Sequence, residues 1–149
     1  MQPTLGKGAL VVARRGAKPE RGDIILFELP DETPQLRRVM GLPGETLSVN
    51  DIEVTIPGIA PTYQEIRRFK VAGREFRVVK ETIGIKSWEV CDDTRRKRTL
   101  PPREAGDGYF VLADNREHAR DSGMKGYGPV KEAQIRGVVV HVLSRGEIP

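Results

Sequence analysis

Apolar residues gather along this chain in short runs punctuated by Gly, Pro, Asn and Asp, rather than in the long amphipathic stretches of a helical bundle. The pattern predicts strands over residues 9–13 and 23–27, separated by the turn-forming stretch 15–22, and a third over residues 36–40. Gly41-Leu42-Pro43-Gly44 then imposes a turn, because Pro fixes its own φ and each Gly frees the backbone. Extended structure resumes over residues 46–49, and Asn50-Asp51 reads as a hairpin connection into residues 52–56. The strongest runs lie at 108–113 and 135–143. Between them, residues 114–125 are polar and without apolar period, and a polar loop flanked by two core strands is a natural place for a site.

Residues 57–106 are the least patterned. A hairpin is expected from residues 69–71 through Ala72-Gly73 to residues 76–79, and a short strand over 88–91. The polar run 92–98 and the pair Pro101-Pro102 read as a loop returning to the main body. The expected organisation is one fold built from residues 1–56 and 107–149, with 57–106 as an inserted β-rich lobe.

Composition narrows the class without naming a function. At 149 residues, one domain with a real apolar core is expected. Sixteen Gly and eleven Pro suit many strands joined by tight turns. Lys and Arg exceed Asp and Glu by four, which permits contact with anionic lipid or nucleic acid and demands neither. Cys91 is the only cysteine, so neither an intrachain disulfide nor a multi-cysteine metal site can form. No window approaches the 18 to 20 apolar residues needed to cross a bilayer. The chain as it stands reads as soluble or peripheral, or as held by an anchor upstream of residue 1.

Three segments, in order, resemble the type I signal peptidases, membrane-bound Ser/Lys proteases that remove signal peptides from exported proteins. Met1-Gln2-Pro3-Thr4-Leu5 is similar to the family's Ser-Met-x-Pro-Thr-Leu motif, and is followed by Arg21-Gly22-Asp23-Ile24-Ile25-Leu26-Phe27. The stretch from Leu36-Arg37-Arg38 to Gly41-Leu42-Pro43-Gly44-Glu45 resembles Lys-Arg-x-x-Gly-Leu-Pro-Gly-Asp. Tyr109 to Ala113, then Asp114-Asn115-Arg116 and Asp121-Ser122, resembles the Gly-Asp-Asn-Arg box with its Asp-Ser-Arg extension. The resemblance implies an all-β fold of coiled antiparallel sheets, of the type shared by signal peptidases and LexA-like self-cleaving repressors. It implies no cofactor and no metal. It also implies a place on the extracytoplasmic face of a membrane, with extended signal-peptide-like segments of exported proteins as partners.

The same resemblance exposes departures in the chemistry. The family's nucleophilic serine immediately precedes the Met that is residue 1 here, and a lysine kept neutral by burial takes its proton. Arg37 stands at the lysine position, and a guanidinium stays protonated and offers no acceptor lone pair. Ala119 stands where the family places a serine that orients the lysine amine, Gly123 replaces the Arg of the Asp-Ser-Arg extension, and Ala113 replaces the Gly that opens the third box. The expectation is therefore a degenerate serine endopeptidase with no intact catalytic pair. It retains a peptide-binding strip at Met1, Pro3, Gln35 and Leu36, supported by Arg38, Asp114, Asn115, Arg116, Asp121 and Ser122. Arg38 and Asp121 are expected to pair, and residues 114–116 to stabilise their own turn.

Other readings stay open. They are an active type I signal peptidase represented by a truncated chain and using an unrecognised base, a relative of the self-cleaving repressors, or a non-enzymatic module for nucleic acid or a membrane surface. His118, Asp121 and Ser122 include the residue types of a hydrolytic triad, and His118, Glu117 and Asp121 those of a metal site, though neither has an established spacing. Cys91 reads as a packing residue. Arg95-Arg96-Lys97-Arg98 reads as a solvated loop, since no aromatics interleave it for base stacking and nucleic acid is not the expected partner. Trp88 reads as core, or as an aromatic at a membrane-facing edge.

Overall fold

The computed structural model describes residues 1–117 and 120–148. Its strands are β1 (Leu10–Arg14), β2 (Ile24–Glu28), β3 (Pro34–Gly41), β4 (Thr46–Asn50), β5 (Glu53–Thr55), β6 (Thr62–Val71), β7 (Arg74–Ile83), β8 (Lys86–Asp93), β9 (Thr99–Glu104), β10 (Phe110–Leu112) and β11 (Ile135–Ser144). They form three antiparallel sheets, ordered β1-β11-β2-β3-β10, β5-β4-β9 and β6-β7-β8. The fold is all-β, as the punctuated apolar runs predict.

Strands β3 and β10 sit between two cores, which explains why their apolar runs do not alternate. Side chains on successive strand residues point to opposite faces. Val39 and Val111 pack on one side with Ile25, Phe27, Tyr109, Val130 and Val138. Met40, Phe110 and Leu112 pack on the other with Leu47, Val49, Val54, Val79, Trp88 and Val90, contributed by all three sheets. Gly41 lies where they meet. A Cβ there would come within 2.9 Å of both Leu47 Cδ2 and Phe110 Cβ, so only glycine fits at the start of the Gly-Leu-Pro-Gly turn.

Three local features differ from the pattern-based expectation. The 69–79 hairpin is far longer, pairing Thr62 with Thr82 and Val71 with Arg74. The two-residue turn after β4 is Asp51-Ile52, one residue later than expected, with Asp51 in the left-handed region at φ 63. Pro101-Pro102 lies within β9 and not in a loop. Proline cannot donate to a ladder, but β9 is an edge strand and its register against β4 shifts between Leu47 and Val49, where a missing donor is tolerated.

Candidate functional site

A groove runs past the N-terminal segment and the first half of β3. One hollow of about 410 Å³ is lined by Met1, Lys7, Arg37, Ala113 and Asn115, among others. An adjoining hollow of about 380 Å³ shares Met1, Leu5, Gly6 and Arg37 with it, and is walled by Leu26, Pro34, Gln35 and Leu36. Met1, Gln35 and Leu36 therefore lie on one surface with Arg37. Pro3 is buried and lines neither hollow.

Arg37 is half-buried at the junction of the two hollows. Its Nε donates to the Arg120 carbonyl at 2.9 Å and its Nη1 to the Leu36 carbonyl at 2.6 Å. Both acceptors are neutral, and among the described residues no carboxylate forms an ion pair with this guanidinium.

The backbone direction of β3 follows from its neighbours. Val39 accepts from Gly22 N–H and donates to the Asp23 carbonyl, each at 2.8 Å, so its polar groups face β2. Alternation turns those of Leu36 and Arg38 the other way. On that side β10 pairs with β3 only from Arg38 to Gly41. The edge of residues 34–37 thus extends beyond its neighbour along the groove.

Beneath this surface lies a buried ionic layer. Arg38 grips Asp114 in a two-pronged bond, Nε to Oδ1 at 2.8 Å and Nη2 to Oδ2 at 2.7 Å, while its Nη1 donates to the Gly22 carbonyl at 2.6 Å. The guanidinium also lies over the Trp88 ring, 4.8 Å from its centroid. Thr4 of the Pro-Thr-Leu motif donates its hydroxyl to Asp114 Oδ2, tying the N-terminal segment to this pair. Such a geometry suits a desolvated ion pair, where each charge needs a full set of partners.

The expected Arg38–Asp121 pair is thus replaced by Arg38–Asp114. Asp121, fully buried, is instead held by Arg98, Nη2 to Oδ1 at 2.6 Å and Nη1 to Oδ2 at 3.0 Å. It also accepts from the Ala113 and Gly123 N–H groups. A Cβ on Gly123 would overlap the Arg98 guanidinium, so the glycine makes room for an arginine arriving from the β8–β9 connection. Reading residues 95–98 as a solvated loop missed this role of Arg98. The glycine at 123, in a position the motif gives to arginine, was the signal that a cation must reach Asp121 from elsewhere.

Residues 114–116 do more than hold their own turn. Asn115 does so, its Oδ1 accepting from the Glu117 N–H at 3.2 Å. Arg116 instead crosses the core, its Nη2 donating to Glu81 Oε2 at 2.6 Å and its Nη1 to the Ile52 carbonyl at 3.0 Å. Glu81 is fully buried and also accepts from Trp88 Nε1 at 2.6 Å and from the Tyr63 hydroxyl at 2.9 Å. Desolvation, the largest influence on Arg116, disfavours its charge, but Glu81 and Asp114 together hold its pKa above the usual value. Ser122 Oγ accepts from the Val111 N–H at 2.9 Å, tying the loop to β10.

Cys91 is buried, and burial, then Asp114 and Asp92, push its thiol up to about 12. A thiol so protonated is no nucleophile at neutral pH. His118 and Ala119 lie outside the described residues. Among the described residues, no three His, Cys, Asp or Glu side chains gather in a way that could hold a metal, and no helix is long and apolar enough to cross a membrane.

Comparison with known proteins agrees with the fold and the motif order. The family model for signal peptidase, peptidase S26, matches residues 1–144. Signal peptidase I V of Bacillus subtilis is 30% identical over 143 residues, covering 93% of this chain and 77% of the relative. Signal peptidase I of Bacillus caldolyticus is 31% identical over 150 residues, covering 93% and 71%. Signal peptidase I of Pseudomonas fluorescens is 27% identical over 111 residues, covering 70% of this chain and only 39% of the relative.

Proposed function

The chain belongs to the signal peptidase family, peptidase S26, and from that premise we propose that it binds extended segments of exported proteins along the 34–37 edge while being impaired in cutting them. Arg37 carries the proposal. The position that the family motif gives to a proton-accepting lysine holds a guanidinium fastened by two carbonyls. It cannot accept the proton of a nucleophile. Loss of one member of a catalytic pair lowers rate by on the order of 10⁴ to 10⁶.

Peptide binding needs no such chemistry. Strand addition rests on main-chain hydrogen bonds at a sheet edge, with side-chain hollows for specificity. The outward-facing Leu36, beyond the end of β10 and beside an apolar hollow, supports that mode. An incoming strand would take over the Leu36 carbonyl from Arg37 Nη1 and release the guanidinium toward the ligand. In this reading residues 57–106 are the inserted lobe and the rest is the peptide-binding core. The domain works at the extracytoplasmic face of a membrane. The exposed apolar side chains of Leu10, Val12, Val142 and Leu143 on the paired β1 and β11 support contact with that surface.

The relatives' names favour a second reading, an active signal peptidase with another base. Titration with an extended signal-peptide segment tests the binding part directly. Amide signals of Gln35 and Leu36 should shift in a saturable way. No response at millimolar peptide sinks the binding proposal.

A further inference from the structure

We propose that the groove selects peptides ending in a free carboxylate, the product of peptide-bond hydrolysis and not the uncut chain, and that Arg37 and Lys7 receive that carboxylate beside Asn115. This inference rests on the peptide-binding reading above and names the class of peptide it takes.

The first observation is the charge of the hollow. Among the described residues, the ionisable side chains that line it are Lys7 and Arg37, both cationic, and none is a carboxylate. The second is the state of Arg37 relative to the other arginines. Among the described residues, Arg21, Arg38, Arg74, Arg77, Arg98 and Arg116 each pair with an Asp or Glu. Those without such an ion pair are exposed to water, except Arg37, which is half-buried in the groove wall. A partly desolvated cation with only neutral acceptors has lost hydration without gaining a counter-charge. A ligand carboxylate supplies one.

The guanidinium presents five N–H donors in a planar fork that matches a carboxylate two-to-two, whereas an internal peptide bond offers one neutral oxygen. Arg37 spends two donors on Arg120 and Leu36, and the second of these is the bond that strand addition displaces. The neighbouring hollow, walled by Leu5, Ala9, Leu26, Pro34 and Leu36, is apolar where the side chains preceding a C-terminus would lie. A peptide lying along the edge would thus place small or apolar side chains in one hollow and its terminal carboxylate in the other.

The test uses the wild-type protein and two synthetic peptides of the same extended, small-x-small sequence, one a free acid and one a C-terminal amide, titrated by calorimetry at neutral pH. The free acid should bind at least about tenfold more tightly, as charge-assisted bonds outweigh neutral ones. That preference should vanish in Arg37→Gln, shrink in Lys7→Gln, and weaken with added salt. Equal affinity for acid and amide overturns carboxylate selection and leaves peptide binding standing. Failure of both peptides to bind at millimolar concentration overturns both proposals.

Discussion

Arg98 and Gly123 form a matched exchange. The arginine that the family motif places two residues after Asp121 is absent, and a guanidinium from a distant part of the chain occupies its space. Arg98→Ala should cost about 3 kcal/mol, since it leaves the fully buried Asp121 without its counter-charge while Arg98 itself is partly exposed. Gly123→Arg should also destabilise, by collision. Combining the two should recover part of the loss, as the new arginine takes over Asp121. Strictly additive losses in chemical denaturation would contradict the exchange. Cys91 offers a pH test. Its folded pKa, pushed up to about 12, exceeds the ordinary 9.0, so the unfolded chain loses this proton first. Stability should therefore be full below about pH 9 and decline as pH rises toward 12. Cys91→Ala should flatten that decline in denaturation measured across the same range. At this scale the sequence showed which residues are chemically unusual, Arg37 and Gly123 above all. It did not show partners, because choosing between Asp114 and Asp121 for Arg38 depends on how two loops pack.

The strands themselves were the most legible element, because apolar runs between turn residues report burial directly. The apolar pattern reveals only the 69–79 part of the β6–β7 hairpin, since its outer residues, such as Gln64, Glu65 and Lys80, are polar and exposed and carry no apolar signal. Strand β9 is hidden in the sequence because Pro101-Pro102 speaks against a strand, and only the shifted register against β4 makes room for it. The turn between β6 and β7 invites a direct check. Ala72 and Gly73 both lie in the left-handed region, at φ 48 and 71, and alanine is strained there while asparagine is not. Ala72→Asn should raise stability by several tenths to about 1 kcal/mol, read as a higher denaturation midpoint with unchanged slope. No gain would mean the hairpin tip adds nothing to the cooperative unit.

For the whole molecule, three sheets share a core through β3 and β10, and these are the strands that carry Arg37, Arg38 and the start of the 114–122 loop. The framework under the groove, with Arg38, Asp114, Arg116 and Glu81, is thus buried, while Arg37 lies half-buried at its surface. Family membership was legible in three ordered motifs. The groove was not, because it forms where the N-terminal segment crosses β3, a contact between segments far apart in the chain. On the proposed function, the fold keeps its hold on peptides while Arg37 blocks proton transfer. The most direct measurement follows a detergent-solubilised preprotein, incubated with the protein expressed from its full reading frame, by mass spectrometry over time. The preprotein should stay essentially intact, turned over at least about 10⁴-fold more slowly than by an active family member. Efficient cleavage after a small-x-small site would contradict the proposed function.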